Sequence, residues 1–286
     1  MRGGEFYAFM QERENVRLRK EADDPWPWTE DKILQEYKFT NVKRANDRTT
    51  RWFWKVLDEH KDAPHHVILF NCALFRYFGT VEFYGALQTW FDTWSERTQT
   101  YVKDTAEYRL AHKMRVFTGA YVITNQGISA PKQDVVVDHF LTPFWDKCPD
   151  LVAIARDTRR WKAVAKEMMK LKGFGGTGFM TKEVLQDAIH TPVLSDCIDR
   201  DTWCPIGPGA RRGLNRVFER PLNETRKFDD MLEELRDLWK MQTLRWPLKW
   251  EVLELHDIQF QLCEFDKYER VLHGEGRPRS KYRAPF

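Results

Sequence analysis

A chain of 286 residues with 42% hydrophobic content is one large domain or two small ones, with ample apolar material for a core. A net charge of +3 excludes a generic polycation, so nucleic-acid binding would need positive charge gathered on one face. Five scattered cysteines without a C-x-x-C pair imply neither a zinc site nor a disulfide scaffold, and suit a reducing cytoplasm.

The first residues, MRGGEFYAFMQEREN, lack the apolar stretch of a signal sequence, and no run approaches the length of a membrane span. No G-x-x-x-x-G-K-[ST] sequence occurs, so no P-loop kinase is expected. Residues 6–20 read as a charged amphipathic helix, broken by the Pro25-Trp26-Pro27-Trp28 run. Thr29 is the expected cap of the next helix. The segment 39–51 is dense in Asn, Arg and Thr (Asn41, Arg44, Arg48). It is either a polar connection with a helix cap or a loop that contacts phosphate.

Residues 67–78 are apolar nearly all round and should form a buried helix. Asn71 and Arg76 interrupt it, and a buried charge needs partners; they are either structural hubs or side chains pointing into a site. Helical patterns follow over 80–93, 98–113, 134–145 and 151–170. Residues 114–127, which include Asn125, admit a short strand by their β-branched content, although their neighbours favour helix.

The organising stretch is 171–216. Gly173-Phe174-Gly175-Gly176-Thr177 separates two helical runs, 161–170 and 179–189. Glycines there allow φ > 0 and leave bare N–H groups at the next helix start, a geometry that suits an anion. The L-x-G-x-G core resembles the hairpin of helix-hairpin-helix DNA glycosylases, and Asp196 falls in the slot of their catalytic aspartate; Asp196 is either electrostatically active there or a helix cap. His190 reads as a structural cap. Residues 207–216 read as a second glycine turn carrying Arg211, Arg212 and Arg216.

Residues 228–240 form an amphipathic helix. In 250–270, Asp257, Gln261, Glu264 and Tyr268 fall at i, i+4, i+7 and i+11 on one helical stripe, with Cys263, Asp266, Lys267 and Arg270 beside them. These are either a solvated ion-pair face or a site. Residues 273–286 form a basic, glycine-broken tail with Arg277 and Arg279.

Six blocks taken in order, FTNVKRANDRTTRWF, FNCALFRYF, FTGAYVITNQG, GFGGTGF, GPGARRGLNR and HDIQFQLCEFDKYERVLHGEGRPRSKYR, resemble a group of bacteriophage DNA-modifying proteins. The group comprises the α-glutamyl/putrescinyl-thymine pyrophosphorylases, the amino acid:DNA transferases and the helical domain of 5-hydroxymethyluracil DNA kinases. The resemblance spans residues 28 to 283. It implies a mainly α, helix-hairpin-helix glycosylase-like fold: an extension at 1–28, a catalytic domain at 29–272 with its hairpin at 171–178, and a tail at 273–286.

The implied activity is thymidine hypermodification. An amino acid or amine displaces the phosphate or pyrophosphate of a 5-(pyro)phosphomethyl-uracil in double-stranded phage DNA, after a separate kinase has acted, in the cytoplasm of the infected host. No cofactor, metal or membrane is implied. Proton-transfer candidates are Asp257, Glu264 and Asp266 with His256; Lys267 or Arg270 would hold a carboxylate, and Cys263 or Cys72 would be the nucleophile of a covalent route. Candidate phosphate and substrate contacts are Arg211, Arg212, Asn215, Arg216, Asn41, Arg44, Arg48, Asn71, Arg76 and Asn125, with Gly173, Gly175, Gly176, Thr177, Arg277 and Arg279 on the DNA backbone. Two competing readings are a glycosylase that uses Asp196 and a non-catalytic module that binds modified DNA.

Overall fold

The computed structural model describes residues 1–88, 90–278 and 280–282. The fold is mainly helical: α1 (Gly3–Glu21), α2 (Lys32–Glu36), α3 (Arg48–Glu59), α4 (His65–Phe78), α5 (Val81–Leu87), α6 (Glu96–Ala111), α7 (Lys132–Asp134), a π-helical turn (Val135–Leu141), α8 (Thr142–Thr158), α9 (Trp161–Met168), α10 (Phe179–Ala188), α11 (Pro208–Val217), α12 (Phe228–Lys240), α13 (Gln242–Arg245) and α14 (Leu255–Leu272). Two compact units result. One joins residues 1–47 to 201–286, and the other is 48–200.

The 48–200 unit is built on α4, buried from Val67 to Phe78 as its apolar circumference requires, and packed on α8 and α10. Phe53 stacks flat on Phe75 at 3.9 Å between ring centroids. The expected helix at 80–93 stops at Leu87, capped at its start by the Thr80 hydroxyl. Residues 114–127 form neither helix nor strand. Thr118 N–H donates to the Phe78 carbonyl at 2.7 Å, and Phe117 stacks on Phe78, so the segment follows the end of α4 instead of its own propensity.

The helical run predicted from 134 is interrupted twice. Pro143 cannot donate a hydrogen bond and its ring would strike the carbonyl four residues back; the π-helical turn before it widens the ladder at that point. At Arg159 the backbone turns left-handed (φ +51°), and α9 begins anew with its first N–H groups, from Trp161 and Lys162, donating to the Asp199 carboxylate at 2.9 and 3.0 Å.

Between α9 and α10 the chain turns through its glycines. Gly173 has φ +91°, and a Cβ there would lie 2.4 Å from the Tyr77 hydroxyl, so only glycine fits. Phe174 is buried against Tyr77 and Phe144, while Gly176 and Thr177 lie on the surface.

The unit containing both termini is built on α14, against which α1, α11 and α12 pack. Asp31, not Thr29, caps α2: its carboxylate accepts from Ile33 N and Leu34 N, and the Thr29 hydroxyl accepts from Asp31 N. Phe6 and Phe9 of the expected extension each pack on Phe265 at 5.5 Å, which ties α1 into this core. The described part of the tail pairs with 36–38 through an antiparallel bridge between Tyr37 and Lys281.

The largest departure from expectation is at 207–216, which is the helix α11 and not a turn. Its glycines serve close approach. A Cβ on Gly213 would sit 2.2 Å from the Leu262 carbonyl oxygen of α14, and one on Gly209 3.1 Å from Cys263 Sγ. Gly213→Ala is therefore expected to force α11 off α14 and to destabilise this unit by about 1–3 kcal/mol, an overpacking cost read from the urea midpoint. An unchanged midpoint would show that the helices separate freely.

Candidate functional site

The predicted stripe on α14 exists, and it is not solvated. Its four side chains hold one segment, 31–44. The Asp257 carboxylate accepts Arg44 N–H at 2.8 Å; Gln261 donates to the Asn41 and Val42 carbonyls at 3.0 and 3.2 Å; Glu264 accepts Thr40 N–H at 3.1 Å; and the Tyr268 hydroxyl donates to Asp31 at 2.6 Å. Helical spacing set the stripe, and the backbone of 40–44 supplies the groups that Asp257, Gln261 and Glu264 bind.

Asp257 also forms half of a capping box with Glu254, whose N–H donates to it at 3.0 Å. The carboxyl is 1% exposed. Burial pushes its pKa up to about 7, against the pull of the Arg44 and Glu254 amide bonds, which favour the anion. Asp257 borders a closed gap, with no room for a water molecule, together with Thr40, Asn41, Arg44, Asp47 and Phe260. The Arg44 guanidinium lies over the Phe260 ring at 5.2 Å. His256 is buried beside it, its Nδ1 3.2 Å from Glu254 and its Nε2 3.8 Å from Asp257.

The adjacent stripe is an ion-pair network. Arg212 and Arg216 of α11 each place Nε 2.9 Å from a different oxygen of buried Asp266, and Arg270 lies 3.5 Å away. Arg216 also bonds Glu275, and Lys267 pairs with Glu264 at 2.7 Å. Asn215 donates to three carbonyls, of Pro221, Leu222 and Glu224, and so orders the loop after α11. Arg211 is half-buried and Arg277 exposed. Arg279 lies outside the described residues.

Arg13 is the residue sequence reasoning missed. It bonds Gln261 at 2.5 Å and lies 5.3 Å over both Phe9 and Phe39. Burial draws its pKa down to about 10, while the Glu264, Tyr282 and Glu14 charges oppose that shift. It stood in a segment read as an extension. The signal was an arginine on the apolar side of α1.

The remaining candidates belong to the 48–200 unit. Asn71 is a structural hub, donating to the Val67 and Phe91 carbonyls and accepting from Tyr84 OH and Phe91 N. Arg76 is a buried bidentate partner of Asp187, with both bonds at 2.6 Å, and Trp54 Nε1 joins the same carboxylate. Asn125 donates to the Ala130 carbonyl within its loop, and Arg48 is exposed at the start of α3. Asp196 is exposed and paired with Arg159 at 2.9 Å. His190 packs against the Trp54 ring at 4.0 Å. Burial pushes the Cys72 thiol well above its ordinary value, which makes it a poor nucleophile; Cys263 is half-buried, and Gly209 of α11 closes on its sulfur.

Among the described residues no three His, Cys, Asp or Glu side chains stand together as metal ligands, and no helix is long and apolar enough to cross a membrane.

A mainly helical protein with a buried carboxyl of raised pKa on one side of α14 and an arginine network on another is the class these observations define. The chain belongs to the family of the 5-hmdU DNA kinase helical domain, whose family model matches residues 4–277. A 5-hmdU DNA kinase of Bacillus phage SP10 is 24% identical over 286 residues. The match covers 92% of this chain and 44% of that kinase, so the chain spans less than half the length of its relative. No solved structure matches the chain significantly.

Proposed function

We propose that this chain works in phage thymine hypermodification, as the transferase that displaces the phosphate or pyrophosphate of a 5-(pyro)phosphomethyl-uracil in duplex DNA with an amino acid or amine. The observation that carries the reading is Asp257: a buried carboxyl with a pKa near 7, the value a base working near neutral pH requires, bordering Asn41 and Arg44 across a closed gap that substrate would have to open. In the transfer, the amine nitrogen forms a bond to the 5-methylene carbon. The C–O bond to phosphate breaks with its electron pair leaving on oxygen, and Asp257 takes the amine proton. Arg44, which borders Asp257, is the cation suited to the departing phosphate, because a guanidinium pairs two phosphate oxygens at once.

The substrate base lies inside a duplex and has to be taken out of the stack. The exposed Gly176-Thr177 turn at the start of α10 would hold backbone phosphates in the manner of a helix-hairpin-helix protein, without reading sequence. On this reading the catalytic work falls within 29–272, with α1 supporting it through Arg13. A separate kinase supplies the phosphorylated base in the host cytoplasm.

One observation favours a second reading. Asp266, Glu264 and Asn215 are already engaged within the protein, as in a non-catalytic module that presents modified DNA to a kinase. The glycosylase reading loses support because Asp196 is exposed and paired with Arg159.

Mass spectrometry of nucleosides decides. Duplex DNA containing 5-phosphomethyl-uracil, or its pyrophosphate analogue, is incubated with the protein and a mixture of amino acids and polyamines, then digested. A nucleoside heavier than thymidine by an amine adduct is expected. Free base with abasic DNA would instead mean a glycosylase, and retention of DNA with no chemistry would mean the module.

A further inference from the structure

Residues 240–252 carry an apolar tip that the proposed chemistry does not use. Leu244, Leu248 and Val252 are 85%, 95% and 69% exposed, three aliphatic side chains within nine residues. Large aliphatic side chains clustered this openly mark a contact surface. The segment that presents them is firmly held. Gln242 clasps Leu253 by both backbone groups, its Nε2 donating to the carbonyl at 3.1 Å and its Oε1 accepting the N–H at 2.9 Å. Trp239 Nε1 donates to the same carbonyl at 2.8 Å. Trp246 is buried, donates to the Glu251 carbonyl at 2.9 Å and packs on Trp250 at 4.8 Å. The tryptophans face inward, and the aliphatic tips face out.

Positive charge surrounds those tips. Arg245 and Lys249 are exposed, and among the described residues neither has an ion-pair partner; the one acid in the turn, Glu251, is matched by Lys43 at 3.2 Å. A rigid apolar tip between free cations suits a duplex: phosphates meet the cations, and an aliphatic side chain enters a base step.

We propose that Leu248, supported by Leu244 and Val252, is a wedge that inserts into duplex DNA and fills the space vacated by an extruded nucleotide. This rests on the reading that the substrate base lies in a duplex. Opening a stacked step costs a few kcal/mol, and a wedge presented on backbone already tied down by Gln242 and Trp246 needs less ordering on entry.

The test uses the full chain and a duplex with 2-aminopurine beside a 5-phosphomethyl-uracil. Wild-type protein should raise the 2-aminopurine fluorescence as the step unstacks. Leu248→Ala should abolish the rise and weaken duplex binding about tenfold, with binding to the same strand unpaired changed less than twofold. Leu248 is almost wholly exposed, so an unchanged circular dichroism spectrum is expected. Leu248→Ala behaving as wild type on the duplex would overturn the wedge. So would Leu248→Ala converting a dimer to a monomer on light scattering, or abolishing vesicle binding, without changing the fluorescence rise. Unstacking without amine transfer would leave the wedge standing and sink the transferase; transfer on duplex DNA that Leu248→Ala leaves intact would do the reverse.

Discussion

Asp257→Asn is expected to lower amine transfer by about 10²–10⁴-fold, the usual contribution of a positioned base, while duplex binding stays within a factor of two. The wild-type rate should rise with pH through an apparent pKa near 7, where Asp257 loses its proton, and the variant should show no such limb. The same carboxyl makes a separate prediction for stability. Its folded pKa of about 7 stands above the ordinary 3.8, so the folded protein keeps a proton that the unfolded chain releases. The stability it contributes is full below about pH 4, falls as pH rises toward 7, and is constant above. The fall is at most on the order of 4 kcal/mol, at about 1.4 kcal/mol for each pH unit. Asp257→Asn should be less stable than wild type at pH 4, because its amide nitrogen then faces a backbone N–H, and should lose less on going to pH 7.5. Parallel urea midpoints for the two proteins across that range would mean that Asp257 is solvated, and would remove the observation on which the transferase reading stands.

Arg76→Leu is expected to cost about 3–5 kcal/mol, because it leaves the Asp187 carboxylate buried and facing an apolar side chain. Burial works against the Arg76 charge, but the Asp187 pair outweighs it and holds the arginine above its ordinary pKa. Trp54 Nε1, 2.9 Å from Asp187, would remain and would satisfy one oxygen. The double variant Arg76→Leu with Asp187→Leu should recover much of the loss, since a buried pair is often replaceable by apolar packing. Urea unfolding checks both. A single variant costing under 1 kcal/mol, or a double variant no better than the single, would show that the pair is hydrated or that Arg76 has another role.

Local rules made several elements legible. The glycine turn at 171–178 could be read because positive φ at glycine is a property of the residue itself. The α14 stripe could be read because its spacing is helical geometry. The same kind of reasoning failed at 207–216. A glycine that permits a turn and a glycine that lets two helices touch are the same residue, and only the Leu262 carbonyl 2.2 Å from a would-be Cβ tells them apart. On α10, Lys182, Glu183 and Asp187 are charged, yet all three are buried. The available signal was on α4, where Arg76 required an acid from elsewhere in the chain.

The amino-acid sequence by itself determined the helical class, a glycine turn before α10, the buried α4 and the alignment of Asp257, Gln261, Glu264 and Tyr268, because each follows from residues within a few turns of one another. Only the tertiary structure decided what those side chains meet. It brought residues 40–44 onto α14, buried Asp257 deeply enough to hold its proton near neutral pH, set Arg212 and Arg216 on Asp266, and drew Arg13 from α1 onto Gln261. Desolvation and ion pairing depend here on partners between 50 and 248 residues apart in the chain, and periodicity carries no record of them.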